Sequence, residues 1–313
     1  MPVAREASWL VVFTLDGWTR VCEKGGSESF PTPQMITSHK KWLLPIVAAA
    51  SCFLGAVSTQ ANLLTTFPEM GDLLRWSAFS LGGGVTSTDT ADDFVGTTDI
   101  YGDVGVAGSG NITMTGSATI HGDLYYRSNG TLTMKGNSAI TGNRFHNQDS
   151  VLDNGVTEAI NTSNHAFALP VTPAYAGITS INLSGGQNLT LNGAPGQTVV
   201  LKLQDFIITS GTLTLQGTAS TNFVINVSRQ FSMTDHSQII LSGGVTWDSV
   251  LFNVRGTGTN VMLAGQSTLR GVLMANYRTV DMSGGSLVLG SVIADKIKMS
   301  GSAQINRPPI SSP

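Results

Sequence analysis

Apolar and polar residues alternate along short stretches of this chain, and glycines separate the stretches. Ile112 and Met114, for example, alternate with Thr113 and Thr115. Because successive side chains of a strand point to opposite faces, the apolar residues are predicted to face a core and the threonines to face solvent. Many short strands of this kind predict an all-β protein.

One sequence phrase occurs twice and, in part, a third time. Residues 110–123 are similar to residues 130–143, and residues 100–103 match the end of an earlier copy. The period is therefore 20 residues. A fixed period of this size, built from short strands and glycines, is typical of a solenoid whose coils stack on a common core. We therefore predict a right-handed parallel β-helix, that is a β-solenoid, over residues 97–306.

The period changes in the middle of the chain. Residues 149–169 show helical spacing with Asp149 or Ser150 as the N-cap, although Gly155 lowers the helix propensity. The predicted apolar stripe consists of Leu152, Val156, Ala159, Ile160, Ser163 and Phe167. Nearly continuous apolar runs follow, such as 199–203 and 223–227. Such runs belong to strands covered on both faces, so we expect one α-helix to flank the solenoid.

The amino end has the order of a secretory signal peptide. In residues 35–61 a positive start precedes an apolar segment and a small-residue exit, and we predict cleavage after Ala61. Residues 1–34, before Met35, are then predicted to be an upstream extension. An uncleaved membrane helix and a lipoprotein modified at Cys52 are the alternatives. The mature chain is expected to have no membrane span and to be secreted or held at the cell surface.

The segments that border the solenoid carry weaker patterns. Residues 62–96 are irregular and are predicted to cap the open end of the solenoid, with a plain amino-terminal arm as the alternative. Residues 307–313 form a short proline-rich tail. Both cysteines, Cys22 and Cys52, precede the predicted cleavage site. Packing and ladder hydrogen bonds, rather than disulfides, must then hold the exported chain together.

The low charge of the chain excludes one class of partner. Charged residues make up 12% of the sequence and the net charge is -3. A protein that binds nucleic acid normally shows a basic patch or stripe, and none is visible in the sequence.

Three turn residues that share one register could form a calcium site. Stacked coils would align Asp103, Asp123 and Asn143 into a ladder of oxygen ligands. The alternative, which we favour, is that Asp and Asn serve the turns, because their side chains bond their own backbone there. We therefore predict no cofactor.

Catalysis is the least supported function. A polysaccharide-cleaving β-helix needs two carboxyl groups that face one another across a sugar. Apart from Asp92 and Asp93, the acids of the mature chain are scattered, and the histidines lie in unlike contexts. We therefore predict that the protein is not an enzyme.

The outward threonines are the candidate binding face. Methyls and hydroxyls with little charge suit a surface that orders water or meets a crystal. The alternative is that threonine is simply a good strand residue on a solvated face. The candidate residues are Thr113, Thr115, Thr131, Thr133, Thr190, Thr212 and Thr214.

Several stretches resemble the bacterial ice-binding-like domain, and the resemblance covers most of residues 80–305. The stretches are 102–106, 195–201, 211–217, 222–227, 247–254 and 269–275. The carboxyl half also resembles the choice-of-anchor A domain of bacterial surface proteins. The first resemblance implies a discontinuous β-solenoid of triangular section with a long helix beside it, secreted or held at the cell surface. It also implies either adsorption to ice through a flat face or a role as an adhesin.

These observations predict a non-enzymatic interaction or structural protein, such as an adhesin or matrix component. The first alternative is a true ice-binding protein that uses the threonine face, and the second is a polysaccharide-active enzyme. The expected partners are accordingly an ice surface, a polysaccharide or a cell-surface matrix.

Overall fold

The computed structural model describes residues 12–15, 18–21, 63–82, 92–108 and 111–310. The chain divides into two units, residues 1–55 and 56–313. In the first unit, β1 (Val12–Leu15) pairs antiparallel with β2 (Trp18–Val21). The predicted signal peptide at 35–61 lies outside the described residues, and the predicted extension at 1–34 is described only at these two strands.

The second unit begins with short helical segments and a series of short strands. These are α1 (Leu63–Thr66), 3-10 turns at Pro68–Met70 and Leu73–Arg75, β3 (Trp76–Ser80), β4 (Asp92–Gly96), β5 (Asp99–Tyr101), β6 (Asp103–Val106), β7 (Asn111–Gly116), β8 (Thr119–His121), β9 (Leu124–Tyr126), β10 (Thr131–Met134), β11 (Ala139–Ile140) and β12 (Arg144–Phe145).

A long helix and a second series of strands complete the unit. These are α2 (Asp149–Ala168), 3-10 turns at Pro173–Tyr175 and Trp247–Ser249, β13 (Ser180–Ser184), β14 (Asn188–Asn192), β15 (Thr198–Thr209), β16 (Thr212–Gln216), β17 (Asn222–Thr234), β18 (Gln238–Ser242), β19 (Val250–Val254), β20 (Val261–Leu263), β21 (Thr268–Met282), β22 (Leu287–Met299) and β23 (Gln304–Asn306).

Parallel pairing arranges these strands into the three sides of a solenoid, which we call sheets A, B and C. Sheet A contains β10, β7, β4, the ends of β22 and β21, β20, the ends of β17 and β15, and β13. Sheet B contains β11, β8, β5, β23, the starts of β22 and β21, β18, β16 and β14. Sheet C contains β12, β9, β6, β3, the middles of β22 and β21, β19, and the starts of β17 and β15. The predicted β-solenoid with a single long helix is confirmed.

The coils do not follow one another in chain order. Strands β4 to β12 form three coils that end at β10, β11 and β12, which we call the open end. Helix α2 then returns to the far end at β13 and β14, from which the later strands wind back. The two blocks meet where β5 pairs with β23 and β3 pairs with both β22 and β6. The solenoid is therefore discontinuous, as the family resemblance implies.

Inward side chains form continuous ladders because equivalent strand positions stack in register. The central inward ladder of sheet A consists of Met134, Met114, Phe94, Met299, Met282, Leu263, Met233, Ile208 and Leu183. At the open end Met134 is only half-buried, whereas Met114 in the next coil is fully buried. Each inner coil thus covers its neighbour, which is how a solenoid builds one core.

Helix α2 lies against the outer side of sheet C. The outward row of that sheet beneath it contains Phe145, Tyr125, Gly105, Phe79, Ile293, Met274, Asn253, Asn226 and Lys202. Asn253 Nδ2 donates to the Ser163 carbonyl at 3.0 Å, and Ser163 Oγ donates to Asn253 Oδ1 at 2.7 Å. Asn226 Nδ2 likewise donates to the Ala166 carbonyl at 2.9 Å. These buried amides fix the rotation and height of the helix, because an amide left unpaired there would be costly.

Gly155 brings the helix into contact with Phe79. A Cβ atom at this glycine would lie 2.6 Å from Phe79 Cζ, and the Phe79 ring is fully buried. The same ring also lies over Gly105, where a Cβ would come within 2.5 Å of Phe79 Cδ2. The glycine that weakens the helix in sequence terms is therefore required by packing.

Replacing Gly155 by alanine is expected to lower the free energy of unfolding by up to about 2 kcal/mol. The gain in helix propensity is about 1 kcal/mol, but overpacking against an immobile ring costs ~1–3 kcal/mol. Urea unfolding of the two proteins measures the difference. Gly177→Ala is the control, because a Cβ there meets nothing within 4 Å. A stabilised Gly155→Ala protein would contradict the packing argument.

Three details of this region differ from the sequence expectations. The helix N-cap is Gln148, while Asp149 lies in the first turn and accepts hydrogen bonds from Ser128. Phe167, expected in the apolar stripe, is 42% exposed because the helix turns it away from sheet C. Residues 63–75, expected to cap the open end, instead pack with the helix against sheet C. The solenoid strands accordingly start at Trp76 rather than at residue 97.

Among the described residues, no helix combines the length and apolar character that crossing a membrane requires.

Candidate binding faces

The outer sides of sheets A and B are the two candidate binding faces, which we call face A and face B. Within the described part of the chain, α2 and residues 63–75 pack on sheet C and leave the outer side chains of the other two sheets in contact with solvent. Each face spans nine strand levels. At about 4.8 Å between neighbouring strands, each is about 38 Å long.

Face A carries charge at its centre. Its central outward row, from the open end to the far end, is Thr133, Thr113, Asp93, Lys298, Asp281, Met262, Ser232, Ile207 and Asn182. Asp93, Lys298 and Asp281 occupy three consecutive levels, and the next residue, Met262, is 46% exposed. Charged side chains of alternating sign are each strongly hydrated. Face A therefore does not present a chemically uniform surface.

Face B carries two long outward rows. The first is Ala139, Thr119, Asp99, Gln304, Leu287, Thr268, Gln238, Thr212 and Asn188. The second is Thr141, His121, Tyr101, Asn306, Leu289, Arg270, Ile240, Thr214 and Thr190. Threonine, amide and aliphatic side chains dominate both rows.

The few ionisable groups on face B are held by local partners. His121 Nε2 lies 3.0 Å from Asp99 Oδ1, and its ring stacks on Tyr101 with centroids 4.4 Å apart. Arg270 bends down so that Nη1 donates to the Ile239 carbonyl at 2.7 Å. Both arrangements engage these side chains with neighbouring groups of face B.

The structure divides the seven candidate threonines between the two faces. Thr113, Thr115, Thr131 and Thr133 lie on β7 and β10, which belong to sheet A at the open end. Thr190, Thr212 and Thr214 lie on β14 and β16, which belong to sheet B at the far end. They therefore form two separate patches rather than one row. All seven do point outward, as the alternation within each strand predicts.

The residues of the proposed calcium ladder bond to backbone instead. Asp103 Oδ1 accepts from the Asp123 N–H at 3.0 Å, and Asp123 Oδ1 accepts from the Asn143 N–H at 2.7 Å. Each aspartate thus fastens the next coil of the solenoid, rather than bonding the backbone of its own turn as we expected. In the part of the chain that the structure describes, no three His, Cys, Asp or Glu side chains come together to hold a metal ion.

Four acidic residues in the described part of the chain have positions or partners that do not suit a glycosidase pair. Asp92 is buried and Asp93 points outward, because neighbours in a strand face opposite sides. Asp205 forms a bidentate ion pair with Arg229, whose guanidinium holds the pKa of that carboxyl below its usual range. Asp235 accepts a hydrogen bond from the Ser210 hydroxyl, which also lowers the carboxyl pKa. These acids have structural partners.

Sequence reasoning missed most of face B. Leu287, Leu289, Gln304 and Asn306 lie at its centre, in strands that look unremarkable in the sequence. The sequence did carry a signal for these residues. A Ser or Ala ends the glycine-containing turn before each of these strands, and the outward residues of face B follow it by one and by three positions, as Leu287 and Leu289 follow Ser286.

The model of the ice-binding-like family matches residues 55–304 of this chain. The match covers well over half of the sequence, and the chain therefore belongs to the ice-binding-like family. The resemblance to the choice-of-anchor A domain stays a prediction. A comparison with curated proteins found no match.

Solved structures of similar fold include ice-binding proteins from several organisms. One from the Antarctic ascomycete Antarctomyces psychrotrophicus is 19% identical, with 77% of this chain and 98% of that chain covered and a TM-score of 0.49. A glycosylated ice-binding protein from an Arctic yeast is 18% identical, with 78% and 95% covered and a TM-score of 0.48. The corresponding values for a domain of an ice-binding protein from Shewanella frigidimarina are 12%, 77%, 97% and 0.44.

Proposed function

We propose that this protein binds ice through face B. Membership of the ice-binding-like family makes ice the first ligand to consider. The observation that carries the proposal is the composition of the two outward rows of face B, in which 15 of the 18 positions are neither Asp, Glu, His, Lys nor Arg. The remaining three are Asp99, His121 and Arg270.

The geometry of face B suits a crystalline ligand. Parallel stacking repeats each outward position about every 4.8 Å along the solenoid, and alternate residues of a strand lie about 6.6 Å apart. Hydroxyl and amide groups on this grid offer hydrogen bonds to a layer of water, while the methyl groups between them favour ordered water over bulk water. A rigid core beneath the sheet holds the grid fixed, so little entropy is lost when the face meets a solid surface.

Replacing Thr268 by tyrosine is expected to abolish most of the thermal hysteresis. Thr268 lies near the middle of face B, three levels from the exposed Tyr101 ring, and a bulky ring there would hold the threonine, amide and aliphatic side chains around it away from a planar surface. Thermal hysteresis and inhibition of ice recrystallisation are the measurements. Thr133→Tyr is the matched control, because it adds the same ring to face A. Melting curves of both variants establish that the fold is intact.

The comparison distinguishes the two faces, and unchanged activity in Thr268→Tyr would contradict binding through face B. Loss of activity in Thr268→Tyr alone supports face B, whereas loss in Thr133→Tyr alone would assign the activity to the threonine patch of face A. A folded wild-type chain without either activity would refute ice binding. The adhesin or matrix role would then become the leading hypothesis.

The remaining features of the proposal concern location and chemistry. Export, directed by residues 35–61, would place face B outside the cell, where ice forms. Adsorption to ice requires no catalytic group, and the protein is proposed to act without catalysis. A panel of polysaccharides incubated with the mature chain tests this point, because release of reducing ends would contradict it.

A further inference from the structure

Three buried serines occupy the same position in three consecutive coils. Ser237, Ser267 and Ser286 lie where sheet A turns into sheet B, and each is at most 1% exposed. Their register is fixed by the backbone, because the Thr268 N–H donates to the Ser237 carbonyl and the Leu287 N–H to the Ser267 carbonyl, both at 2.8 Å. The three side chains therefore stack directly above one another.

The backbone that presents each serine is a tight turn. Both central residues have positive φ, as at Gly284 (59°) and Gly285 (74°), and the serine N–H closes the turn onto the residue three places earlier. These are the features of a type I′ turn. The serine N–H is thus already used, and the rigid turn directs the hydroxyl into the solenoid rather than to solvent.

None of the three hydroxyls has a hydrogen-bond partner among the described protein groups. Buried polar groups are nearly always paired, so three unpaired hydroxyls in one row require a physical explanation. The row has defined limits, because Gly211 precedes Ser237 at the same corner and Ala303 follows Ser286. Beyond Ala303 the next residue in the row is Thr98, whose hydroxyl is also buried and unpaired.

The spacing of the coils identifies the ligand. Hydroxyls on neighbouring strands are about 4.8 Å apart, which is too far for a direct O–H···O bond of about 2.8 Å. A single water molecule at about 2.8 Å from each oxygen spans that separation with a near-tetrahedral angle. We propose that a file of internal water molecules runs along the corner between sheets A and B and bridges the hydroxyls of Ser237, Ser267 and Ser286.

The water file would brace face B from inside. Gln238, Thr268 and Leu287 directly follow the three serines and project outward in the first row of face B. Bridging waters link adjacent coils at the edge of this row, in addition to the backbone ladder. The inference concerns the interior of the solenoid and does not depend on the ligand of the outer face.

Ser267→Ala tests the proposal, because the two explanations predict opposite changes in the stability of the folded protein. With bridging water, Ser267 serves a water on each side, and its loss should raise the unfolded-to-folded ratio about fivefold. Ser237→Ala and Ser286→Ala, at the ends of the row, should have smaller effects in the same direction. Ser283→Ala is the matched control, because this serine begins the same turn as Ser286 but lies on the outward side of sheet A; it should leave the ratio unchanged.

The opposite sign would overturn the proposal. If the hydroxyls are buried without water, alanine removes an unpaired polar group, and Ser267→Ala should make the protein more stable. A high-resolution crystal structure gives a direct second measurement. Ordered solvent density between the three Oγ atoms would support the file, and continuous protein packing without such density would refute it.

Discussion

Replacing Arg278 by methionine is expected to lower the free energy of unfolding by about 3–5 kcal/mol, because several buried carbonyl groups lose their donor at ~1–3 kcal/mol each. Arg278 is only 3% exposed and lies at the corner where β21 passes from sheet C to sheet A. Its guanidinium donates to carbonyl groups of two neighbouring segments. The acceptors are the carbonyls of Ser228, Arg229, Arg255, Gly256 and Thr259.

The effect is large because one buried side chain donates to carbonyl groups of both segments. Burial lowers the pKa of Arg278, which shows that the charge is held against a desolvation cost. Five carbonyl dipoles compensate that cost in place of a carboxylate. Methionine has a similar length but no donor, so the same carbonyls would lose their partner while the apolar contacts remained.

Guanidinium chloride unfolding of the purified chain measures this effect. Arg255→Met is the control at the same corner, since the Arg255 side chain donates to Asn164 Oδ1 at 3.1 Å at the exposed surface. A single exposed hydrogen bond contributes about 1 kcal/mol, so the control should be destabilised much less than Arg278→Met. Equal effects of the two substitutions would show that the carbonyl cage does not stabilise the corner.

Asp92→Asn is expected to remove a strong pH dependence of stability. Burial raises the pKa of Asp92 to about 7, although the Ile297 N–H, Ser80 and the charge of Lys296 each oppose the change. The Ile297 N–H donates to Asp92 Oδ1 at 2.8 Å, across the contact between the two blocks of coils. Asp92 Oδ2 is buried without a hydrogen-bond partner.

The direction of the change in stability with pH follows from which state, folded or unfolded, binds the Asp92 proton more tightly. The carboxyl has an ordinary pKa of 3.8 when unfolded and about 7 when folded, so between these values the folded chain binds more protons. Stability is therefore greatest below pH 3.8, as far as this group is concerned, and falls as the pH rises through 7. The loss above pH 8 is roughly 4 kcal/mol.

Chemical unfolding at pH 5 and at pH 9 measures the effect in both proteins. The wild type should be about 3 kcal/mol less stable at pH 9 than at pH 5, whereas Asp92→Asn should change little, because an amide cannot ionise. Asp93→Asn is the control, since Asp93 lies on the same strand but faces outward. If the stability of Asp92→Asn fell with pH as much as that of the wild type, the buried carboxyl would not be the cause of the pH dependence.

The sequence was most informative where the physical constraint is local. The 20-residue period was visible because β7 and β10 pair in that register, with Ile112 opposite Leu132. The helix was visible because α2 at Asp149–Ala168 keeps one apolar side against sheet C. In both cases neighbouring residues in the chain carry the whole pattern.

The candidate faces were less predictable because they depend on distant pairing. Alternation shows that a threonine points outward but not which of the three sheets its strand joins. In the second block, β15 and β21 continue around a corner with irregular register at Leu203/Asp205 and Ala275/Thr279, which obscures the period. The buried Asn226 and Asn253 interrupted apolar runs, and that interruption was an overlooked sign of contact with the helix.

The meeting of the two blocks has a consequence for how the protein folds. In space the coil that ends at Asn306 is completed by β3, which starts at Trp76, so the chain order is a circular permutation of an uninterrupted spiral. The strands at residues 76–101 pair early with β6, β7 and β8 on one side, but their partners on the other side, β22 and β23, are synthesised about two hundred residues later. One side of the amino-terminal coils therefore stays uncovered until β22 and β23 are made, and these long-range pairings are expected to close the core slowly.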